Sequence, residues 1–462
     1  MPSESAVRQA GAARTGSDQP NILLIAVDTL RADRLGCYGY PRPTSPNIDA
    51  LAAQGALAER FFCAGIPTHP SFTTLYTGQH PIHHGIVAHS PRNQLAKDAP
   101  FLPQLLLGEG YTTCAVDNLA QGRQWFRRGY EFYVDPSVRQ ILMMDVSAEE
   151  LNGRAIPWLQ QHRDERFFLT IHYWDPHWPL TPPPKYRSLF YEGNPVDPDN
   201  HALDKWWEHP LGAMARDTWL RRPEGVVTDP AYVEALYDQE IRHLDDAIGE
   251  LMATLDQLGL AENTLVVFVA DHGESLTEHG IYVDHHGLYD CTIRIPLIAR
   301  WPGRIPAGRR LTPLLQHQDV APTLLDAAGI AIPDEIDGVS RWALLTGENG
   351  GATGAAGAGG NGHAGGYDRL FTCECTWQKK WSIRTETHKF ILAREPDSYG
   401  NPDRELYDLI ADPGENRNLA ESEPGLARAL EQELEGWIAA RLDEFDRAED
   451  PVREQPVSLG LH

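Results

Sequence analysis

The residues with chemical potential sit in three stretches that are far apart in the chain. Ile66-Pro67-Thr68-His69-Pro70-Ser71-Phe72 offers a hydroxyl where a helix begins. Ala270-Asp271-His272-Gly273-Glu274-Ser275 offers a carboxylate and an imidazole where a strand ends, and Asp28 closes a third stretch. Brought together, these groups can hold a divalent cation beside an oxygen nucleophile, which is the equipment for splitting a phosphate or sulfate ester. Pro70 suits the first turn of a helix that Ser71 to Thr77 continue and Gly78 ends. A hydroxyl there meets free backbone N–H groups and the positive end of the helix dipole, which favour an alkoxide and an anionic ester. Taken alone, Thr68 reads more simply as a helix cap; Asp28 and Asp271-His272 are what point to a nucleophile. An all-oxygen ligand set suits calcium or magnesium, and the imidazole of His272 shifts the preference to manganese, iron or zinc.

A second group is formed by Asp175-Pro176-His177 and Asp284-His285-His286. These residues either hold a second metal ion or contact substrate oxygens and protonate the leaving group. His83, His84, His279 and His317 carry no comparable pattern and read as structural.

The elements that must position these groups are legible from hydrophobic runs. Asn21 to Val27, Phe167 to Trp174 and Thr264 to Ala270 are short, apolar on both faces and rich in β-branched or aromatic residues, and each ends at an Asp. Such runs read as buried parallel strands, and open α/β sheets bind ligands beyond the carboxyl ends of their strands. Helices are expected over Pro46 to Leu57 and from Asp229-Pro230 to Gly259. The Pro- and Trp-rich stretch from Lys185 to Val227 has no clean period and is either a wall of the site or a surface excursion. The class is α/β. Residues 1–19 read as a disordered N-terminus, 20–349 as a catalytic domain and 350–366 as a flexible Gly/Ala-rich loop. Residues 367–445 read as a small α+β subdomain, with antiparallel strands over Leu370 to Cys375, Trp381 to Arg384 and Lys389 to Leu392 and a helix over Leu426 to Leu442. Residues 446–462 form a tail whose stretch from Asp450 has the reach to meet a second copy of the chain, so a homo-oligomer is open.

Composition narrows the function. The chain has 462 residues and a formal charge of -25, with 40 Lys plus Arg against 65 Asp plus Glu. That balance argues against a nucleic-acid partner, because phosphate backbones are gripped by cationic patches. It leaves room for a small anionic substrate at a metal. Six cysteines are too sparse for a disulfide framework and read as reduced core thiols, and Cys373-Glu374-Cys375 is too tight for zinc spacing. The polar N-terminus lacks the apolar core of a signal peptide and no apolar run reaches membrane-spanning length, so no membrane partner is expected and the cytoplasm is the default.

At this point the residues match a family. The chain resembles the sulfatase family of the alkaline phosphatase superfamily over most of its length, through Asn21 to Tyr40, Thr68 to Gly85, Tyr173 to Pro179, Asp271 to Pro296, Asp319 to Ile330 and Glu405 to Leu419. The resemblance implies a large mixed, mainly parallel sheet sandwiched by helices, followed by a small four-stranded C-terminal sheet. It implies Asp28, Thr68, Asp271 and His272 as metal ligands, and His177 and His286 as catalytic partners.

Departures from the pattern are equally informative. Sulfatases carry a Cys or Ser, converted to formylglycine, where Thr68 stands, and an Arg where Phe72 stands. The family's second Asp of the first strand motif is Thr29 here, and its substrate-binding Lys is His285. Thr68-His69-Pro70 is similar to the nucleophile of the nucleotide pyrophosphatase/phosphodiesterase branch. Asp271 to Tyr282, with His172 and His177, is similar to bacterial phosphoethanolamine transferases. The resemblance therefore implies a hydrolase of phosphodiesters or phosphonate monoesters acting through a covalent Thr68 intermediate, with His285, Asp175 and His172 on the substrate and a manganese, zinc or iron ion, calcium being less favoured. The alternatives are a sulfuric ester hydrolase and a non-catalytic ligand-binding scaffold.

Overall fold

The computed structural model describes residues 19–90, 93–137, 144–348, 362–363, 365–397 and 399–455. The expected disordered N-terminus, most of the Gly/Ala-rich loop and the last seven residues of the tail lie outside these.

The Asn21–Val27 strand is the centre of an eight-stranded sheet. It pairs in parallel with Thr264–Ala270 on one side and Phe167–Tyr173 on the other, with Val27 opposite both Ala270 and Tyr173. Every residue of these three strands is buried, as strands covered on both faces by helices require. The matched register brings Asp28 and Asp271 out at one edge: Asp28 N–H donates to Tyr173 O at 2.9 Å, and Asp271 N–H to Val27 O at 3.1 Å. Thr112–Val116 and Phe132–Val134 extend the sheet in parallel beyond Phe167–Tyr173, while Leu297–Arg300 runs antiparallel on the other flank.

The long helix spans Pro230–Gln257, capped by the Asp229 carboxylate on Ala231 N–H. Its buried apolar stripe joins the core formed with the sheet strands and the Pro46–Ala53 and Ala148–Gln161 helices. The helix expected from Pro46 to Leu57 stops at Ala53. Gly55 sets that limit: a Cβ there would stand 2.2 Å from Ala299 O, so the chain turns and Ala56–Ala58 joins the sheet as a strand.

The C-terminal strands Leu370–Cys375, Lys379–Arg384, His388–Ala393 and Arg404–Asp408 form an antiparallel sheet. A fifth strand comes from the large domain: Gly65–Ile66, immediately before Pro67-Thr68, pairs in parallel with Cys373 and Glu374. The C-terminal sheet is thereby stitched to the segment that presents Thr68. The Pro424–Glu444 helix covers it, and Leu434 and Ile438 share a core with Phe390 and Trp381. Asp450 does not begin an extended tail; its carboxylate caps the Pro451–Glu454 helix and accepts from Trp381 Nε1, and Val452 is fully buried against the chain's own sheet. All six cysteines are free thiols. Among the described residues, no helix is long and apolar enough to cross a membrane.

Candidate active site

Thr68 is the first residue of a helix that runs to Thr77 and ends at Gly78, whose φ of 65° is the left-handed conformation glycine accepts without strain. Pro67 holds the cap position and has no side-chain group to bond the helix end, and the Thr68 hydroxyl turns to His272 instead of to its own helix. Thr68 Oγ1 lies 3.4 Å from His272 Nε2. The helix is braced on the sheet from below: Ser71 Oγ donates to Asp271 O at 2.5 Å, and His317 bridges Ser71 Oγ at 3.0 Å and Ala270 O at 2.9 Å. His317 is thus structural, as expected.

The strand ends converge on that hydroxyl. His272 Nε2 lies 3.2 Å from Asp271 Oδ2 and 4.0 Å from Asp28 Oδ1, and all three residues are buried. Among the described residues, Asp28 Oδ1 and Asp271 Oδ2 have no hydrogen-bond partner, and Asp28 Oδ2 has only the His172 ring beside it at 3.4 Å, outside hydrogen-bond geometry. Burial and the neighbouring Asp28 push the Asp271 carboxyl well above the usual range. Burial also lowers His272 to about 4, so its ring is neutral. Its Nδ1 faces Gly273 O at 3.0 Å, which assigns the N–H there and leaves the Nε2 lone pair turned to the carboxylates. Orphaned buried carboxylates beside a free imidazole lone pair are a donor set that a divalent cation satisfies.

Two expected substrate-binding residues lie elsewhere. His172, in register with Ala26 on the neighbouring strand, does not reach the cavity. Its Nδ1 faces Asp117 Oδ1 at 2.9 Å and its Nε2 faces Asp28 Oδ2 at 3.4 Å. Burial alone would lower it, but the Asp117 and Asp28 carboxylates hold it up at about 9, which favours the charged ring between them. Phe72, at the position of the family's Arg, fills the space beside it, with ring centroids 4.6 Å apart. Asp175 turns to the opposite side of its strand end, where its Oδ2 accepts from Ala148 N–H at 2.9 Å.

Thr68 opens on a cavity of about 320 Å³. His177, His285 and His286 line it together with Asp284. The His285 ring stands 4.6 Å from His272 and 5.9 Å from His177, and burial among these imidazoles keeps His285 well below its ordinary value. His286 is the opposite case: burial opposes its charge, but Asp284 and Glu374 raise it to about 9. Its Nε2 is 2.7 Å from Asp284 Oδ1 and its Nδ1 3.1 Å from Glu374 Oε1. The remaining wall is largely apolar, made by Leu119, Met144, Trp174, Trp178, Leu211 and Trp377. Leu211 comes from the Trp-rich stretch, so part of that stretch does wall the site. Trp206 stacks on Trp207 and Tyr282 to hold it in place.

Several residues on or behind the cavity wall had no signal in the sequence pattern. Arg123 and His89 sit in loops, and His89 Nδ1 faces His69 Nδ1 at 2.9 Å. Glu374 is delivered by the cross-domain strand pairing, and within Cys373-Glu374-Cys375 the carboxylate, not the thiols, serves the site. Glu274 is fully enclosed with neither oxygen hydrogen-bonded, and burial together with Asp284 and Asp28 holds it well above the usual carboxyl range.

Residues 20–330 match the family model described as Sulfatase, and residues 277–440 match one described as N-sulphoglucosamine sulphohydrolase, C-terminal. An N-acetylglucosamine-6-O-sulfatase from Bacteroides thetaiotaomicron is 25% identical over 475 residues, covering 87% of this chain and 82% of the relative. An arylsulfatase from Clostridium perfringens is 25% identical over 520 residues, covering 96% and 99%. The crystal structure of a phosphonate monoester hydrolase from Agrobacterium radiobacter shares the fold with a TM-score of 0.69 at 22% identity, over 92% of this chain and 96% of the other. With that family model spanning the whole of the large sheet and both strand ends of the site, the chain belongs to the sulfatase family of ester hydrolases, on an alkaline-phosphatase-like scaffold.

Proposed function

We propose that this family member hydrolyses phosphodiesters or phosphonate monoesters through a covalent phosphoryl adduct on Thr68. One observation carries the reading: an uncapped hydroxyl at a helix N-terminus lines the cavity 3.4 Å from His272 Nε2, beside buried carboxylate oxygens without partners. Asp28, Asp271, His272 and Thr68 Oγ1 would hold a manganese, zinc or iron ion. Such an ion, when bound, supplies Lewis-acid polarisation of the ester and a lower pKa for the adjacent hydroxyl.

Thr68 Oγ1 forms a bond to phosphorus as the bond to the leaving oxygen breaks on the far side. His286, kept protonated by Asp284 and Glu374, gives its proton to that oxygen. His177 and His285 contact the non-bridging oxygens. Thr68 has by then released its own proton to solvent. In the second half a water molecule gives a proton to the now neutral His286 as its oxygen bonds phosphorus, and the Thr68 oxygen leaves as an alkoxide and takes a proton back from solvent. Phosphorus is preferred to sulfur because threonine cannot form the aldehyde hydrate through which formylglycine expels sulfate. The apolar wall suits an aryl or alkyl arm on the ester.

A second role for the acid group is favoured by one observation. His286 Nε2 and Asp284 Oδ1 stand 2.7 Å apart but out of line for a hydrogen bond, so both atoms can converge on a second cation. Metal stoichiometry in His286→Ala distinguishes the two: loss of one equivalent assigns a ligand, and unchanged metal with slower turnover of poor leaving groups assigns an acid.

Rates on an aryl sulfate, a phosphate monoester, a phosphodiester and a phosphonate monoester, measured side by side, test the proposal. Dominant turnover of the diester or phosphonate, lost in Thr68→Ala, is expected. Dominant sulfate turnover overturns the substrate assignment, and full turnover by Thr68→Ala overturns the nucleophile.

A further inference from the structure

We infer that Asp175, Glu240 and His243 form a divalent-cation site outside the catalytic cavity, which anchors the loop carrying His177 to the long helix. Glu240 and His243 are three residues apart on that helix and so share a face. Asp175 comes to them from the end of the Phe167–Tyr173 strand. One ligand atom from each lies within 4.8 Å of the others.

The imidazole is the group that points to an ion. His243 is 2% exposed, and its Nε2 bonds the Glu149 carboxylate. That partner takes the N–H, leaving a lone pair on Nδ1, in the carboxylate–histidine arrangement that orients metal-bound imidazoles. Among the described residues, Nδ1 has no partner within hydrogen-bond geometry. It faces Glu240 Oε2 at 3.7 Å and Asp175 Oδ2 at 3.8 Å. These separations exceed a hydrogen bond, whose N···O distance is about 3 Å. They are close to the ~3.5 Å edge between ligands that each sit about 2.1 Å from a tetrahedral metal.

The competing arrangement is an imidazolium among carboxylates. In it, against burial, the carboxylates of Glu240, Asp175 and Glu149 raise His243 to about 9, while burial lifts Asp175 to about 6 and Glu240 to about 7. The cluster thus holds protons that a divalent ion displaces on binding, and no described Lys or Arg pairs with Asp175 or Glu240. The N–H groups of Ala148 and Thr181 each meet one carboxylate and compensate only part of the charge. One imidazole with two carboxylates selects zinc, manganese or ferrous iron over calcium. The Asp175 side chain is 17% exposed, which gives an ion a route from solvent and leaves room for water ligands. Asp175 stands two residues before His177, so an ion here fixes the segment that places His177, Trp174 and Trp178 on the cavity wall.

The test uses the full chain with the catalytic ligand Asp271→Asn in place, so that ions at the catalytic site are suppressed. Purified protein is equilibrated with Zn²⁺ or Mn²⁺, separated from free ion and assayed for metal. The expected result is one fewer equivalent of metal in Asp271→Asn/His243→Leu and in the near-isosteric Asp271→Asn/Glu240→Gln than in Asp271→Asn alone. Chelation is also expected to lower the Tm of the parent and not of the double variants. Equal metal content in all three proteins overturns the inference. Should His243→Leu fail to fold, the Glu240→Gln comparison decides in the same way.

Discussion

Replacing Glu374 with Gln should move the alkaline limit of activity down by about one to two pH units, because Glu374 is, after Asp284, the second carboxylate that keeps His286 charged. His286 rises from 6.5 to about 9 inside the protein, a difference of roughly 3 kcal/mol between its two protonation states. Burial opposes that rise, so the Asp284 and Glu374 carboxylates together contribute more than the net figure. A charge-assisted hydrogen bond such as that between His286 Nδ1 and Glu374 Oε1, at 3.1 Å, is worth about 1.5–3 kcal/mol. Converted to proton affinity, this gives the stated one to two pH units. Gln at 374 retains an oxygen for Gly287 N–H, which now donates to Glu374 Oε2 at 2.9 Å, so the backbone there is preserved. The assay is kcat/KM against pH for two phosphodiesters, one with a good phenolate leaving group and one with a poor alkoxide. The acid form is lost as pH rises through the folded-state value, so the basic limb should fall near pH 9 in the parent and lower in the variant. The alkoxide ester should suffer most, since it needs the proton. Stability follows the same sign: the contribution of His286 is fully present below pH 6.5 and lost through about pH 9. An unmoved basic limb, or equal loss on both esters, refutes the reasoning.

Further outcomes follow from other contacts. Asp117→Asn removes the negative charge that faces His172 and so weakens its pairing with Asp28; metal affinity, read by titration with a competing chelator, should weaken by about 10- to 100-fold, with kcat recovered at saturating metal. Trp377→Ala opens the apolar wall and should raise KM for aryl esters by roughly 10-fold, about 1.4 kcal/mol, while sparing methyl esters. Glu278 is held down at about 2 by Arg31 against the effect of burial. Its contribution is present above pH 4.5 and lost as pH falls through about 2, so Glu278→Gln should lower Tm at pH 7 and converge with the parent in acid.

How much of this was legible depends on the range of the interaction. The three central strands were readable because each is a closed apolar run, and parallel pairing in register then forces Asp28 and Asp271 to one edge. Thr68 was readable because Pro70 and Gly78 bracket its helix. Asp175 was misplaced for a local reason: past a strand end the direction of a side chain is set by the turn, and this turn sends Asp175 to the long helix and His177 to the cavity. His172 sits one residue short of the strand terminus, so its ring projects from the sheet face onto Phe72 of the Thr68 helix and meets Asp28 instead of substrate. Glu374 reaches the site through Gly65–Ile66 pairing with a strand some three hundred residues on, which no periodicity encodes. Arg123 and His89 come from loops, whose course is fixed by packing and not by pattern.

The central claim is that the Thr68 hydroxyl, poised beside Asp28, Asp271 and His272, is the atom that attacks. Rapid quenching of the metal-loaded protein with an aryl phosphodiester, followed by peptide mass spectrometry, addresses it directly. A phosphoryl group on the peptide bearing Thr68, formed at a rate at least equal to turnover and absent in Thr68→Ala, is the predicted result; undiminished turnover with no adduct on Thr68 would contradict it.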